Sequence, residues 1–558
     1  MIREENAIGI ILSGASTSEA SCQLFKSAEK GKIKEGMLLI IISSDRKILC
    51  RVSQIIPYNA FYTEGDVWSE ARREGKSIPE TVARQYEICK LELLMEIPKK
   101  EIDYPPRPGD IVVKIEPERY TNYEEELFGI SKDRKLSNRD YKGIIKFGSL
   151  SGYGKLPVPL DVEKIPMHLA VFGVTGSGKS FSTGYLIEKL MHIPKSDTES
   201  TSYPMIVVDA HGDYIDYVNY VEKEGLENLE WIKSAGVYRY VFPKIYSNYK
   251  FRIKKFIKPI AICLDFLNHR DLAEIIVTYL KGTTEGAEQQ ISGLIRVFEL
   301  LHDDGYNSLH ELICRNRETV LEYVGRLRNE EFHQATIRAI TNQLTEFFKL
   351  EENYRLLSSD SPLKNEDFVD EITKNRFLIV LDFSAEGAPG VDLKTKQVVI
   401  TYLATILFDK FTKYKVNGIQ KHLLFIIEEA QNFCPDKSYP ISSSLAHSKL
   451  SAIATQGRKF GLALCLVSQR PSFVDRIVLS MCNTFFIHRV SPEDVSFVKS
   501  VTGGLPPSLA ASLTTLDTGE VIISGQMVPV PFPLVVRVPK EDRKVKPTIG
   551  ETNVIDNL

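Results

Sequence analysis

The chain is predicted to be an α/β protein: a parallel-rich central sheet covered by helices and interrupted by a helical insertion, preceded by a small β-barrel. Three observations carry this. Residues 1–117 hold several short β-like runs with little helix between them, and from Ile145 apolar strands alternate with longer helical segments. One of those strands, HLAVF, runs directly into a glycine-rich loop and then a helical stretch. At 558 residues the chain exceeds one ordinary domain. The expected division is a barrel and connector over 1–144, a larger α/β unit over 145–540 with its helical insertion at about 265–357, and a polar tail over 541–558.

The barrel strands are read at Ala7–Ser13, Gly36–Ser43, Lys47–Tyr58, Glu87–Ile97 and Asp110–Ile115, because charged or Gly/Pro turns separate them. Val67–Tyr86 has helix-forming composition and interrupts the series; Glu116–Lys146, charged and Tyr-rich, reads as a connector. In the second unit His168–Phe172, Met205–Asp209, Phe377–Asp382, His422–Ile427, Leu462–Ser468 and Thr484–His488 are short, largely apolar runs, as expected of strands buried on both faces. Asp265–Leu357 is amphipathic helix, too long for one crossover, and Gly519–Val538 reads as a closing hairpin.

Composition narrows the function. Hydrophobic residues at 43% and charged residues at 26% describe a folded globular chain. The apolar runs fall well short of the roughly 20 residues that cross a bilayer, and the N-terminus lacks the basic-then-apolar order of a secretory signal, so no membrane segment and a cytoplasmic location are expected. The eight cysteines are scattered, with no CxxC pair or zinc-ligand spacing, and read as buried thiols. A net charge of −3 argues against a protein that coats nucleic acid over its outer surface, but leaves room for a basic channel lining.

Gly173-Val-Thr-Gly-Ser-Gly178-Lys179-Ser180 is a complete GxxxxGK[ST] between a strand and a helix. In that setting loop amides and the helix N-terminus converge on phosphates, the lysine neutralises β- and γ-phosphate charge, and the hydroxyl ligates Mg²⁺. Gly173, Thr175, Gly176, Ser177, Gly178, Lys179, Ser180 and Phe181 are therefore the candidate contacts to ATP, with Ser180 on the metal. The strand His422–Ile427 ends in Glu428-Glu429, adjacent carboxylates of which the first is assigned to the Mg²⁺ shell and the second to polarising the attacking water.

Glu428-Glu429-Ala430-Gln431 resembles the second acidic motif of the HerA-type ATPases, where many relatives use Asp-Glu. The resemblance continues in Asp209-Ala-His211-Gly212-Asp213-Tyr214, in Ile453-Ala-Thr-Gln-Gly-Arg458-Lys-Phe-Gly461, in Val467-Ser-Gln469-Arg470-Pro471 and in Leu516-Asp-Thr-Gly-Glu520, spanning Phe147 to Val538. It implies a RecA-like P-loop NTPase that works as a homo-hexamer on double-stranded DNA, with a nuclease of the NurA type or another effector docked on the barrel. It also assigns Arg458 as the arginine finger reaching a neighbouring subunit's nucleotide, a task that suits an always-charged, forked guanidinium. Gln469 looks like the polar sensor of the γ-phosphate, Arg470 like a further phosphate or interface contact, and Asp209 like an outer Mg²⁺ partner. One departure stands out: some archaeal relatives carry arginine where this chain has Met167.

DNA contacts are the least legible feature. Tyr238–Lys258 interleaves aromatic and basic residues, a pattern able to grip phosphates and stack bases, but the favoured reading is a solvated strand and loop. Other readings carried forward are a motor subunit of an antiviral complex, a secretion or conjugation ATPase, and a non-hydrolysing scaffold ring.

Overall fold

Six N-terminal strands close into an antiparallel barrel: β1 (Ala7–Ile11), β2 (Glu19–Leu24), β3 (Leu38–Ile42), β4 (Lys47–Tyr58), β5 (Tyr86–Ile97) and β6 (Ile111–Lys114), in the order β1-β2-β5-β4-β3-β6 with β6 returning to β1. The structure, a computed structural model, describes residues 7–28, 33–62, 68–76, 85–116, 123–136, 140–154, 156–248, 255–440 and 443–546. β2 was not anticipated, because EASCQL carries few apolar residues; Ala20, Cys22 and Leu24 nevertheless alternate inward, the period a half-buried strand requires. Within Val67–Tyr86 the described part contains a short helix, Ser69–Arg73, while Val67 and 77–84 lie outside the described residues. The connector is two short turns of helix, Tyr123–Glu126 and Lys132–Arg134.

The rest of the chain is organised on one twelve-stranded sheet. Its strands are β7 (Ile144–Leu150), β8 (Pro157–Asp161), β9 (Leu169–Phe172), β12 (Met205–Asp209), β13 (Val237–Val241), β14 (Ile257–Pro259), β15 (Leu378–Asp382), β16 (Leu423–Ile427), β17 (Leu462–Ser468), β18 (Thr484–Ile487), β19 (Glu520–Gly525) and β20 (Leu534–Arg537); β10 (Ile193–Pro194) and β11 (Ser200–Thr201) form a small separate ladder. The order β14-β13-β15-β12-β16-β17-β9-β18 is parallel throughout, and β19, β20, β7 and β8 extend it antiparallel. β17 lies between the strand leading to the glycine-rich loop and the strand leading to the acid pair. This is the RecA-like arrangement, and it puts both motifs at the carboxyl edge of the sheet, one strand apart.

Two calls change here. Val237–Val241, the start of the basic-aromatic segment, is a sheet strand in which Arg239 and Tyr240 are buried, so this part offers no nucleic-acid surface. Arg239 spends its charge on Asp382 and Glu386, and Tyr249 to Lys254 lie outside the described residues. β7 and β8 also went unread, because Pro157 and Pro159 obscure a strand that sits on the sheet's edge, where a missing amide is tolerated.

Successive residues of the parallel strands face opposite sides. Ile206, Val208, Phe425, Leu464 and Leu466 pack into a core built with the helices His269–Lys281, Glu288–Asp303, Leu309–Arg315, Arg317–Arg326, Gln334–Tyr354 and Leu393–Val416. Val207, Leu424, Ile426, Cys465 and Val467 face the other way, into a core continuous with the barrel. The barrel is thereby packed onto the sheet, and the loop between β19 and β20 fastens it. Buried Arg51 donates to Glu92 and to the Pro533 carbonyl, and Lys99 Nζ donates to the Pro529 carbonyl at 2.9 Å. All eight cysteines are free thiols. Among the described residues no helix is long and apolar enough to cross a membrane.

Candidate active site at the carboxyl edge of the sheet

The glycine-rich loop follows β9 and opens the helix Lys179–Leu190. Gly173 is required by crowding: a Cβ there would stand 2.5 Å from Ser177 Oγ and 2.8 Å from His488 Cβ. Gly178, at φ +98°, takes the left-handed conformation that glycine adopts at least cost. The loop is tied from behind. Val174 N donates to the Arg489 carbonyl at 2.9 Å, Gly519 N to the Ser177 carbonyl at 3.2 Å, and Thr518 Oγ1 to the Gly176 carbonyl at 3.2 Å. The free amides of a helix's first turn then stand at the end of a preshaped loop, a setting for an anion. The Ser180 hydroxyl makes no hydrogen bond among the described residues, which leaves it available as a ligand.

Lys179 is buried beside the acid pair, its Nζ 4.0 Å from Glu429 Oε1. Glu429 Oε1 also accepts from Gln469 Nε2 at 2.8 Å and lies 3.1 Å from His211 Nε2, while Oε2 accepts from Gln431 Nε2. Gln469 is a bridge, because its Oε1 accepts from Thr175 Oγ1 at 2.6 Å and so joins the loop to the acid. Gln431 is fixed in turn by Ser468 Oγ at 2.9 Å. Burial acts to raise the Glu429 pKa, but the hydrogen bonds from His211, Gln431 and Gln469 and the Lys179 charge outweigh it and hold the carboxyl down to about 2. The result is a fixed carboxylate able to orient a water.

Glu428 is held differently. Its Oε1 accepts from Tyr214 OH at 2.9 Å and its Oε2 from Ala210 N at 3.2 Å. Asp209, on the neighbouring strand, accepts from the backbone amides of His211, Gly212, Asp213 and Tyr214 and so shapes the turn that delivers His211 and Tyr214. Burial pushes both Glu428 and Asp209 up, helped by the charges of Asp209 and Asp213 at Glu428 and of Asp382 and Asp213 at Asp209, so the pair keeps a proton near neutrality. Ser180 and Glu428 are the residues that would hold Mg²⁺ beside a bound triphosphate.

The comparisons agree with this geometry. Residues 145–407 match the family model "Helicase HerA, central domain". The DNA double-strand break repair helicase HerA of Sulfurisphaera tokodaii is 25% identical over 96% of this chain and 94% of its own length, and that of Sulfolobus acidocaldarius is 26% identical over the same shares. The chain is similar to HerA helicases along nearly its whole length. Among solved structures, VirB4 of Thermoanaerobacter pseudethanolicus covers 73% of this chain and 98% of its own at 13% identity with a TM-score of 0.46. The bacterial conjugative coupling protein TrwB covers 72% and 89% at 13% identity, also with a TM-score of 0.46.

The remaining candidates are spread out. Arg458 sits in the turn Gly457–Lys459, before β17, at the amino edge of the sheet. The seven residues of β17 separate it from the acid network, about 23 Å at 3.3 Å per residue. It is exposed and forms no ion pair among the described residues. Met167, at the position where some relatives have arginine, ends the turn Val162–Met167, which packs against the Arg458 turn at the amino edge of the sheet. Arg470 is engaged by Glu493 at 2.7 Å and Asp494 at 3.1 Å. Phe181 lies under the Arg543 guanidinium, 4.9 Å from its ring centroid.

Two residues of the network escaped the motif reading. Gln431 and Ser468 stand inside the quoted motifs, but their hydrogen-bonding role depends on which strands are adjacent. His488 ends a strand remote in sequence from the loop. Nothing short of the sheet order reveals it.

Proposed function

We propose that this chain is an ATP-driven DNA translocase or helicase that works as a homo-hexamer, each ATP held by one protomer and met by Arg458 of the next. The observation that carries this is the separation of parts. The loop, Lys179, the acid pair and Gln469 are preassembled at one edge of the sheet, while Arg458, exposed, stands at the other. An arginine so placed serves a neighbour's site and not its own. The residues fit ATP with Mg²⁺: the loop's amides and Lys179 take the phosphates, Ser180 and Glu428 hold the cation, and Glu429 with Gln469 orients the attacking water. Mg²⁺ supplies neutralisation of charge developing on the phosphoryl group.

The names of the HerA relatives, DNA double-strand break repair helicases, support DNA as the track; its double-stranded form, and a NurA-type nuclease or another effector docked on the barrel, are what the resemblance implies. The test is ATP turnover with and without duplex DNA across a salt series, alongside native mass. We expect a hexamer and multi-fold stimulation that fades as salt rises, because phosphate contacts release counterions. Equal turnover with and without DNA at every salt, or a permanently monomeric protein, overturns the reading.

A further inference from the structure

Behind the glycine-rich loop lies a buried histidine that no motif claims. His488 follows β18 and is wholly shielded from solvent. Its Nδ1 lies 2.9 Å from the Glu520 carbonyl, which can only accept, so Nδ1 carries the proton. Nε2 of the neutral ring is then an acceptor, and Ser182 Oγ stands 2.6 Å away, nearer than the 3.0 Å from that hydroxyl to the Lys179 carbonyl. The ring's Cβ fills the space that a side chain on Gly173 would need, and its Nδ1 lies 4.0 Å from where a Cβ on Gly178 would be. His488 therefore packs against the first glycine of the loop, lies close to the last, and meets the first turn of the helix behind Lys179 and Ser180.

We infer that His488 is a positioning residue for nucleotide binding: it fixes the loop in its phosphate-receiving shape by bridging Ser182 to Glu520. The inference rests on the proposed ATP reading of the loop. A bridge of this kind needs one donor and one acceptor on a neutral side chain, and each partner comes from a different element. Ser182 belongs to the helix after the loop, and Glu520 opens β19, whose preceding residues Thr518 and Gly519 also bond the loop. Removing the bridge frees the loop to sample shapes that do not match a triphosphate. That cost falls on binding, while Glu429, Gln469 and Arg458 are untouched once ATP is bound.

The test uses the full-length protein, with Kd for ADP with Mg²⁺ from calorimetry and KM and kcat for ATP. For His488→Leu we expect Kd and KM to rise about tenfold or more with kcat within about threefold, the pattern of lost uniform binding. His488→Gln, which keeps one donor and one acceptor, is expected to recover most of the affinity. Ser182→Ala, a smaller change, is expected to raise Kd about threefold and to add little in the His488→Leu background. Wild-type affinity in a folded His488→Leu protein overturns the inference, as does a fall in kcat and melting temperature with KM unmoved. If His488→Leu does not fold, Ser182→Ala decides, and an unchanged Kd there overturns the inference. Failure of the wild-type protein to bind Mg²⁺ nucleotide would instead sink the ATP reading itself.

Discussion

At the scale of single residues the site is a set of carboxyls held in opposite protonation states. Glu429 adopts a left-handed backbone, φ 48°, which a non-glycine residue holds only where its surroundings insist, and here three hydrogen-bond donors do so. Glu429→Gln should keep nucleotide binding while lowering turnover by at least about a hundredfold, since an amide cannot accept at both positions; single-turnover hydrolysis with a parallel binding isotherm checks it. The Glu428–Asp209 pair gives a second expectation. Because it keeps a proton that a bound cation must expel, Mg²⁺-nucleotide affinity should climb as pH rises from 6 to about 8, the value to which Glu428 is raised, and flatten above. Calorimetry in two buffers of different ionisation enthalpy should register proton release at pH 7. His168 and His488 supply a third. Burial lowers both to about 4, below the ordinary 6.5 that the unfolded chain retains, so the unfolded form takes up protons first. Stability should be intact above pH 6.5 and be lost as pH falls through 4, visible in melting temperature; His488→Gln should flatten part of that slope. Most residues that touch Glu429 were legible in motif spacing. His488 was not, because its role exists only once β18 lies beside β9.

At the scale of elements, the turn that carries Arg458 is set by a glycine. Gly461 has φ +89°, and a Cβ on it would stand 2.0 Å from the Lys421 carbonyl, a backbone atom that cannot step aside. Gly461→Ala should therefore destabilise the protein by more than about 1 kcal/mol, against the usual gain from replacing glycine. It should also lower turnover while leaving Mg²⁺-nucleotide affinity near wild type, because the loop lies at the far edge of β17. Chemical denaturation and binding isotherms measure the two halves. The parallel strands were readable because burial on both faces demands apolar runs such as LLFII and LALCLVS. β2 and β13 escaped the same rule. One is half-buried and short, and the other buries Arg239 by pairing it with Asp382, which hides a core strand behind a charged residue.

At the scale of the whole molecule, the proposed ring makes the active site a shared object. Mixing Lys179→Ala protein with Arg458→Ala protein should restore part of the turnover that each lacks, because some contacts then pair an intact loop with an intact arginine. Steady-state assays of the two pure variants and of their mixture read this, and no gain on mixing would place Arg458 outside the chemistry. The two-part architecture was visible in the change of pattern near Ile145. How the parts attach was not, since the fastening is a carbonyl on Pro533 and another on Pro529, groups every sequence possesses.

That fastening has a mechanical side. Pro533 is gripped by the barrel, the next four residues are β20, and Val538 then bonds Gly519, whose own amide holds Ser177. About 13 Å of extended chain thus links the barrel wall to the back of the phosphate cradle. Extended backbone stretches little, so a load hung on the barrel is felt at the cradle as a tug, as through a short tendon.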